Sequence, residues 1–124
     1  MILHIVRRSD WDQALREGRY EPATLKLEGF IHCSTPAQVI ETANRFFREQ
    51  SDSVLICIDE ERVRAQLRYE APGFGHGESN GERFPHIYGS LNPEAVAKVV
   101  EFPCEPDGSF RMPAVLSEIL SICR

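Results

Sequence analysis

The amino-acid sequence predicts an α+β domain that combines short strands with two or three helices. Val54–Ile58 is a continuous β-favouring apolar run, as in a buried central strand. After Pro36, apolar residues recur at helical spacing. The predicted elements do not alternate regularly and several connections have hairpin length, which favours an α+β architecture. The chain of 124 residues suffices for one core, so we expect a single domain over residues 1–124.

The first part of the chain predicts a strand, a helix and a second strand. Residues 2–6 are mostly apolar and partly β-branched, which is typical of a short buried strand. Ser9 is the predicted helix cap, and Gly18 the predicted end of that helix. We expect residues 20–28 to be irregular and to lead into a strand at 30–33.

A capping box marks the start of the second predicted helix. Thr35 is a favourable cap, Pro36 occupies the first helical position, and Gln38 stands third. The apolar residues that follow predict a helix as far as residue 49.

The rest of the chain predicts four strands, one helical turn and a final helix. The strands lie at 53–58, around 67–70, at 84–88 and at 96–102, the turn at 59–63, and the helix begins at Pro113. The glycine-rich stretch 71–83 has no periodicity and matches no phosphate-loop pattern. We therefore expect a flexible lid or binding loop there.

Composition excludes several classes of function. The net charge of −5 and the lack of a basic run argue against nucleic-acid binding. Apolar runs fall far short of the roughly 20 residues of a membrane span, and the amino terminus lacks the order of a signal peptide. We expect a cytoplasmic protein, monomeric by default, with no membrane association. The four irregularly spaced cysteines predict free thiols.

Three of the four histidines lie on predicted strands beside apolar residues, namely His4, His32 and His86. Histidine exchanges protons near neutral pH, so rings that meet in one cleft would be catalytic candidates. Taken singly, each is more simply a half-buried strand histidine with a hydrogen-bonded ring. No H-x-x-x-H or H-x-H spacing occurs, and we predict no metal site.

The hydroxyls of Ser34 and Thr35 are candidate ligand-binding groups, although a helix start also uses such residues. A helix amino terminus favours phosphate or carboxylate, which predicts a small anionic ligand. Side chains alternate along a strand, so Cys33 lies on the strand face opposite to that of His32. Cys33 is therefore a weak candidate nucleophile.

Two further segments flank the glycine-rich loop. Arg68 and Glu70 share one predicted strand face, and Glu70 directly precedes the loop. After the loop, Phe84, His86 and Tyr88 bring two aromatic rings and an imidazole within five residues. Arg68, Phe84 and Tyr88 are candidate ligand contacts, and Glu70, His32 and His86 are candidate catalytic groups.

Three motifs together resemble the family of small bacterial proteins known as domain of unknown function nine-five-two. They are LHIV at 3–6, EGFIHCSTPAQV at 28–39, and LRYE at 67–70 with ERFPHIYGSL at 82–91. The resemblance implies a fold similar to the ADP-ribosyltransferase superfamily, in which small, mostly antiparallel split sheets surround a cleft that holds NAD.

The resemblance also implies roles for individual residues. His4 corresponds by strand position to the residue that grips the nucleotide, and Ser34 and Thr35 loosely match a supporting hydroxyl. Glu70 stands in for the glutamate that stabilises the oxocarbenium ion. The E-x-E and Q-x-E patterns of transferases that modify arginine do not occur in this chain.

Two main hypotheses follow. The first is an NAD-using enzyme related to ADP-ribosyl transfer, in which His4 and Arg68 hold the nucleotide, Tyr88 or Phe84 stacks on a ring, and Glu70 stabilises charge. The second is a binding module for a small anionic ligand without catalysis. A partner-binding domain without a small-molecule site is a third interpretation of the same sequence.

Overall fold

The computed structural model describes residues 1–72 and 81–122, which form four α-helices and six strands. The helices are α1 (Arg8–Glu17), α2 (Ala23–Glu28), α3 (Val39–Phe46) and α4 (Ala114–Ile122). The strands are β1 (Ile2–Arg7), β2 (Ile31–His32), β3 (Ser53–Ile58), β4 (Gln66–Glu70), β5 (Phe84–Tyr88) and β6 (Val96–Glu101). Single 3₁₀ turns at Glu60–Arg62 and Pro93–Ala95 precede β4 and β6.

The strands form two antiparallel three-stranded sheets, which confirms the α+β prediction. The first sheet has the order β1-β3-β6, and the second has the order β2-β5-β4. All six residues of β3 are buried, because this central strand is covered on both faces. One face of the first sheet packs against α3 and α4, and the other packs against α1 and the second sheet.

A backbone bridge also links the two sheets. The backbones of Leu3 in β1 and Ser34 just after β2 form a bridge, with two N–H···O hydrogen bonds of 2.8 Å. The sheets therefore meet at this pair of residues.

The prediction that residues 20–28 are irregular was wrong, because Ala23–Glu28 forms α2. Pro22 has an extended backbone and precedes the helix, and Gly29 ends it in the left-handed region at φ 87°. The Gly29 N–H donates to the carbonyl of Leu25, which is a common way to close a helix end. A helix of six residues is too short to show the periodicity on which the prediction relied.

Two predicted helix starts also differ from the structure. The strand β1 continues directly into α1, so Arg7, not Ser9, precedes the helix, and the Arg8 N–H donates to the Asp52 carbonyl. The helix α3 begins at Val39 and ends at Phe46, and residues 36–38 form a turn before it. One half of the predicted capping box is present, since the Gln38 side chain accepts from the Thr35 N–H at 3.0 Å.

Residues 73–80, which include His76 and most of the predicted loop, lie outside the described residues, as does Cys123. Cys33 and Cys104 are free thiols. In the part of the chain that is described, every helix is too short or too polar to cross a bilayer.

Candidate functional site

A cavity of about 270 Å³ opens beside the point where the two sheets meet. Its wall includes His4 from the first sheet, His32, Phe84 and His86 from the second, and Arg45 from α3. The three strand histidines therefore lie around one cavity. His32 and His86 are directly opposite each other on β2 and β5, with ring centroids 5.4 Å apart.

The second sheet supplies the chemistry of this cavity because its two faces differ. Ile31 and Ile87 are opposite each other on β2 and β5 and are buried in the core. His32, His86 and Arg68 are opposite one another on the three strands and so occupy the other face. The alternation along each strand thus separates a core face from a polar and aromatic face.

On the polar face, Glu70 holds His86 in position. The Nδ1 atom of His86 donates to Glu70 Oε1 at 3.0 Å, and the Tyr88 hydroxyl donates to the same oxygen in a short hydrogen bond. The hydrogen bonds from Tyr88 and His86 lower the pKa of Glu70. The bond to Glu70 in turn raises the pKa of Tyr88. Glu70 is therefore an ionised acceptor for two donors.

His86 is buried although it lies on the polar face, since its side chain is only 2% exposed. The ring of Phe30 stacks on it with centroids 4.0 Å apart. Burial lowers the pKa of His86 more than the hydrogen bond to Glu70 raises it, so the ring is neutral at pH 7. Within the described chain, His86 Nε2 is buried and has no hydrogen-bond partner.

The carboxylate of Glu28 is bonded to His32, which lies next to His86. Its Oε2 atom accepts from His32 Nε2 at 2.6 Å. Its other oxygen, Oε1, is the second buried polar side-chain atom that has no partner among the residues described. Both atoms are buried, and both belong to residues that line the cavity.

His4 is fully engaged by the fold. The carbonyl of His32 can only accept, so His4 Nδ1 donates to it at 2.6 Å, and Nε2 accepts from the Tyr20 hydroxyl at 2.8 Å. Burial lowers the pKa of His4 from 6.5 to about 4, although the bond to His32 opposes this effect. A neutral ring with both nitrogens bonded connects the two sheets.

The segment before α3 closes one side of the cavity. Gln38, which is mostly buried, donates to the Arg83 carbonyl at 2.7 Å while it accepts from Thr35. Ser34 is 5% exposed and lines the cavity beside it. The thiol of Cys33 lies in the core, where burial raises its pKa.

Of the predicted site residues, His4, His32, Ser34, Phe84 and His86 line the cavity. The others lie around it. Glu70 is hydrogen-bonded to both His86 and Tyr88. The guanidinium carbon of Arg68 lies 4.9 Å from the centroid of the Tyr88 ring. Thr35 contributes its backbone to the turn at Gln38.

Sequence reasoning missed four residues that build the site: Tyr20, Glu28, Phe30 and Gln38 in its second role. Glu28 and Phe30 stand within the motif around His32, but the left-handed Gly29 between them decides where their side chains point. Gln38 was interpreted as a capping residue only. A carboxylate four residues before a histidine was the available signal for Glu28.

The charge of the wall is largely acidic. Glu28, Glu41 and Glu82 line the cavity, whereas Arg45 is the one arginine or lysine in the described part of its wall. In residues 1–72 and 81–122, no group of three or more His, Cys, Asp or Glu side chains is arranged to hold a metal ion.

A known protein family matches most of the chain. The model of a family described as "Protein of unknown function (DUF952)" matches residues 5–99. These residues run from within β1 to within β6 and include the second sheet and all of the cavity wall except Leu3 and His4. No curated protein is significantly similar to the chain.

The fold is similar to that of protein CC0527 from Caulobacter crescentus. Crystal structures exist for this protein and for a variant with two methionine substitutions. In both, the sequence is 33% identical to this chain, the match covers 97% of each chain, and the TM-score is 0.79. Its solution structure is 34% identical over 94% of both chains, with a TM-score of 0.72.

The low pKa of His4 predicts a loss of stability in mild acid. The folded pKa of about 4 lies below the unfolded value of 6.5, so the unfolded chain binds a proton that the folded chain excludes. This contribution to the free energy of unfolding is complete above pH 6.5, and about 3 kcal/mol of it is lost as the pH falls to 4.

Urea denaturation between pH 7 and pH 4 measures this effect. The variant His4→Gln keeps a donor and an acceptor but does not titrate, so its free energy of unfolding should depend less on pH. Some dependence remains, because the pKa of His86 is also lowered. Equal pH slopes for the two proteins would contradict the assignment to His4.

A second prediction concerns the link between Glu70 and His86. The substitution Glu70→Gln removes the hydrogen-bonded charge that raises the His86 pKa, so the pKa should fall below its value in the unaltered protein. NMR titration of the histidine ring carbons measures this change. Glu60→Gln is the control, because Glu60 instead accepts from the Tyr69 hydroxyl. An unchanged or higher His86 pKa in Glu70→Gln would refute the link.

Proposed function

The chain belongs to the DUF952 family of proteins of unknown function, and we propose that its cavity binds a small molecule of the nucleotide class, with NAD as the first candidate. The observation that carries this proposal is the free Nε2 atom of His86. Buried polar groups nearly always have a hydrogen-bond partner, and exceptions often mark a place for a ligand or water. Here the atom belongs to a side chain in the cavity wall.

The support behind this atom also favours a ligand site. His86 is fixed by Glu70, and Glu70 is fixed by Tyr88, while Phe30 covers one side of the imidazole. Such a network holds a polar group ready before a ligand arrives, which lowers the cost of ordering on binding. A histidine that served packing alone would not require a polar atom without a partner.

The size and charge of the cavity restrict the classes of ligand that fit it. Its volume of about 270 Å³ lies near the lower end for ligand sites, which is about 300 Å³, and admits one half of a dinucleotide. A wall rich in carboxylates favours the positively charged nicotinamide ring of NAD over a polyanion. The anionic part of the predicted ligand is then its diphosphate, for which Arg45 at the cavity wall is the available cation.

NAD is chosen among nucleotides because the family that the sequence motifs resemble implies a fold similar to the ADP-ribosyltransferase superfamily. In this proposal Phe84 contacts a ligand ring and Ser34 offers a hydroxyl. Arg68 and Tyr88 support the site from outside the cavity, and His4 holds the sheets together while it lines the wall.

A second candidate is slow glycosyl chemistry on the same ligand, favoured by the carboxylate oxygen of Glu28 that remains free in the wall. A carboxylate stabilises the oxocarbenium ion that forms as a glycosidic bond breaks. In hydrolysis, the bond between nicotinamide nitrogen and ribose C1′ breaks, and its electron pair leaves with neutral nicotinamide. Water then bonds to C1′, and its proton passes to a carboxylate.

Binding of NAD is tested first. In a thermal-unfolding assay, NAD at about 100 times its Kd should add roughly 2.7 kcal/mol to the free energy of unfolding. The substitution Arg45→Ala should weaken NAD binding about tenfold through the loss of a charge-assisted contact. Arg48→Ala is the matched control, because Arg48 follows α3 but binds the Asp107 carbonyl instead. A lack of stabilisation by NAD, or equal effects of the two substitutions, would contradict the proposal.

Turnover is tested separately by chromatography of nicotinamide after incubation of the protein with NAD. If the second candidate is correct, nicotinamide appears, and Glu28→Gln slows its release about a hundredfold or more, since it removes the stabilising charge. Binding of NAD without release of nicotinamide would assign the cavity to binding alone.

A further inference from the structure

We infer that the cavity selects ligands that present two hydrogen-bond donors, one to His86 Nε2 and one to Glu28 Oε1. This inference rests on the proposed small-molecule site and adds the chemical class of the group that is recognised. That group is either the cis-diol of a ribose or the amide nitrogen of a carboxamide.

The direction of the hydrogen bond at His86 follows from its other nitrogen. Glu70 is ionised and already accepts from the Tyr88 hydroxyl, so Nδ1 of His86 must carry the proton that it shares with Glu70. A neutral imidazole has one proton, which leaves Nε2 as a bare lone pair. A ligand must therefore donate to this atom.

The direction of the hydrogen bond at Glu28 follows from the chemistry of its carboxylate. Oε2 accepts from His32 Nε2 at 2.6 Å, and Oε1 has no partner in the part of the chain that is described. A carboxylate oxygen only accepts, so a ligand must donate here as well.

The residues that carry the two acceptors both lie next to His32. Glu28 is hydrogen-bonded to the His32 ring, and the ring of His86 is 5.4 Å from it in an edge-on arrangement. All three residues belong to the same cavity wall. In this inference one compact group with two donors satisfies both acceptors from the cavity.

This arrangement excludes some ligand groups from this position. A carboxylate or phosphate placed here would set its lone pairs against those of Nε2 and Oε1, and both buried acceptors would remain without a donor. Sites built from buried hydrogen-bonding groups discriminate strongly against analogues that lack the matching group. The phosphates of a nucleotide must then lie elsewhere in the cavity.

Matched pairs of small ligands test the inference. Nicotinamide and nicotinate differ in the amide nitrogen, and adenosine and 2′,3′-dideoxyadenosine differ in the diol. Kd values are measured by ligand-observed NMR with the unaltered chain. In at least one pair, the member with the donors should bind about tenfold more tightly or better. The pair that discriminates identifies whether the carboxamide or the ribose occupies the position.

Two substitutions locate the effect. In Glu28→Gln, the amide oxygen can keep the bond from His32, which puts an NH₂ donor where Oε1 stood, so the preference between pair members should fall at least about fivefold. Glu41→Gln removes the same charge from another part of the cavity wall and should preserve the preference. Circular dichroism and thermal unfolding confirm that both variants are folded.

The outcomes are distinct. Equal binding of both members in each pair, or tighter binding of nicotinate, overturns the inference and leaves the proposed site standing. Loss of the preference in Glu41→Gln and Glu28→Gln alike also overturns it, because charge and not hydrogen bonding would then select the ligand. If none of the four compounds binds, the inference and the proposed nucleotide site fail together.

Discussion

The imidazole of His4 is the contact on which the site depends. One nitrogen donates to the backbone of β2 and the other accepts from Tyr20, so a single neutral ring connects β1, β2 and the segment that precedes α2. β2 is only two residues long and has few hydrogen bonds of its own. Its position, and therefore the position of His32 against His86, depends on this contact and on the neighbouring Leu3–Ser34 bridge.

The polar face of the second sheet combines groups that are separately common. A buried histidine bonded to a carboxylate occurs in many folds as a structural pair, and a stacked aromatic ring often covers such a pair. The distinctive point here is that two residues of one wall, His86 and Glu28, each have a buried polar atom that lacks a partner among residues 1–72 and 81–122. Since the desolvation of these atoms costs free energy in the folded state, their arrangement is easier to explain as a site than as packing.

Much of the fold was predictable because its signals are local. The apolar run of β3 and the glycine that ends α1 each predict their element without knowledge of the others. The helix α2 was missed because its six residues are fixed by Pro22 and Gly29 and not by periodicity. The starts of α1 and α3 differ because contacts distant in sequence act at both places. The Arg8 N–H donates to the Asp52 carbonyl, and the Gln38 side chain donates to the Arg83 carbonyl.

Many residues of the site were predictable from the sequence, but the hydrogen bonds between them were not. His4, His32 and His86 were identified by residue type and strand position, and they do surround one cavity. Which histidine is free depends on partners distant in sequence: Tyr20 and the His32 carbonyl occupy His4, whereas Glu70 occupies only one nitrogen of His86. Strand order and side-chain partners of this kind depend on tertiary packing, which no local pattern contains.

The backbone opens less readily at the bridge between Leu3 and Ser34 than at the outer strand on the other side of the cavity. Exchange of these two amide hydrogens with solvent requires the sheets to separate, so their protection should report the cooperative opening of the whole domain. β4, by contrast, is an outer strand paired only with β5 in its sheet, and its amides can exchange through local fraying. The carboxylate of Glu70 is thus mounted on the strand that opens first, whereas Ser34 lies where the two sheets are held together.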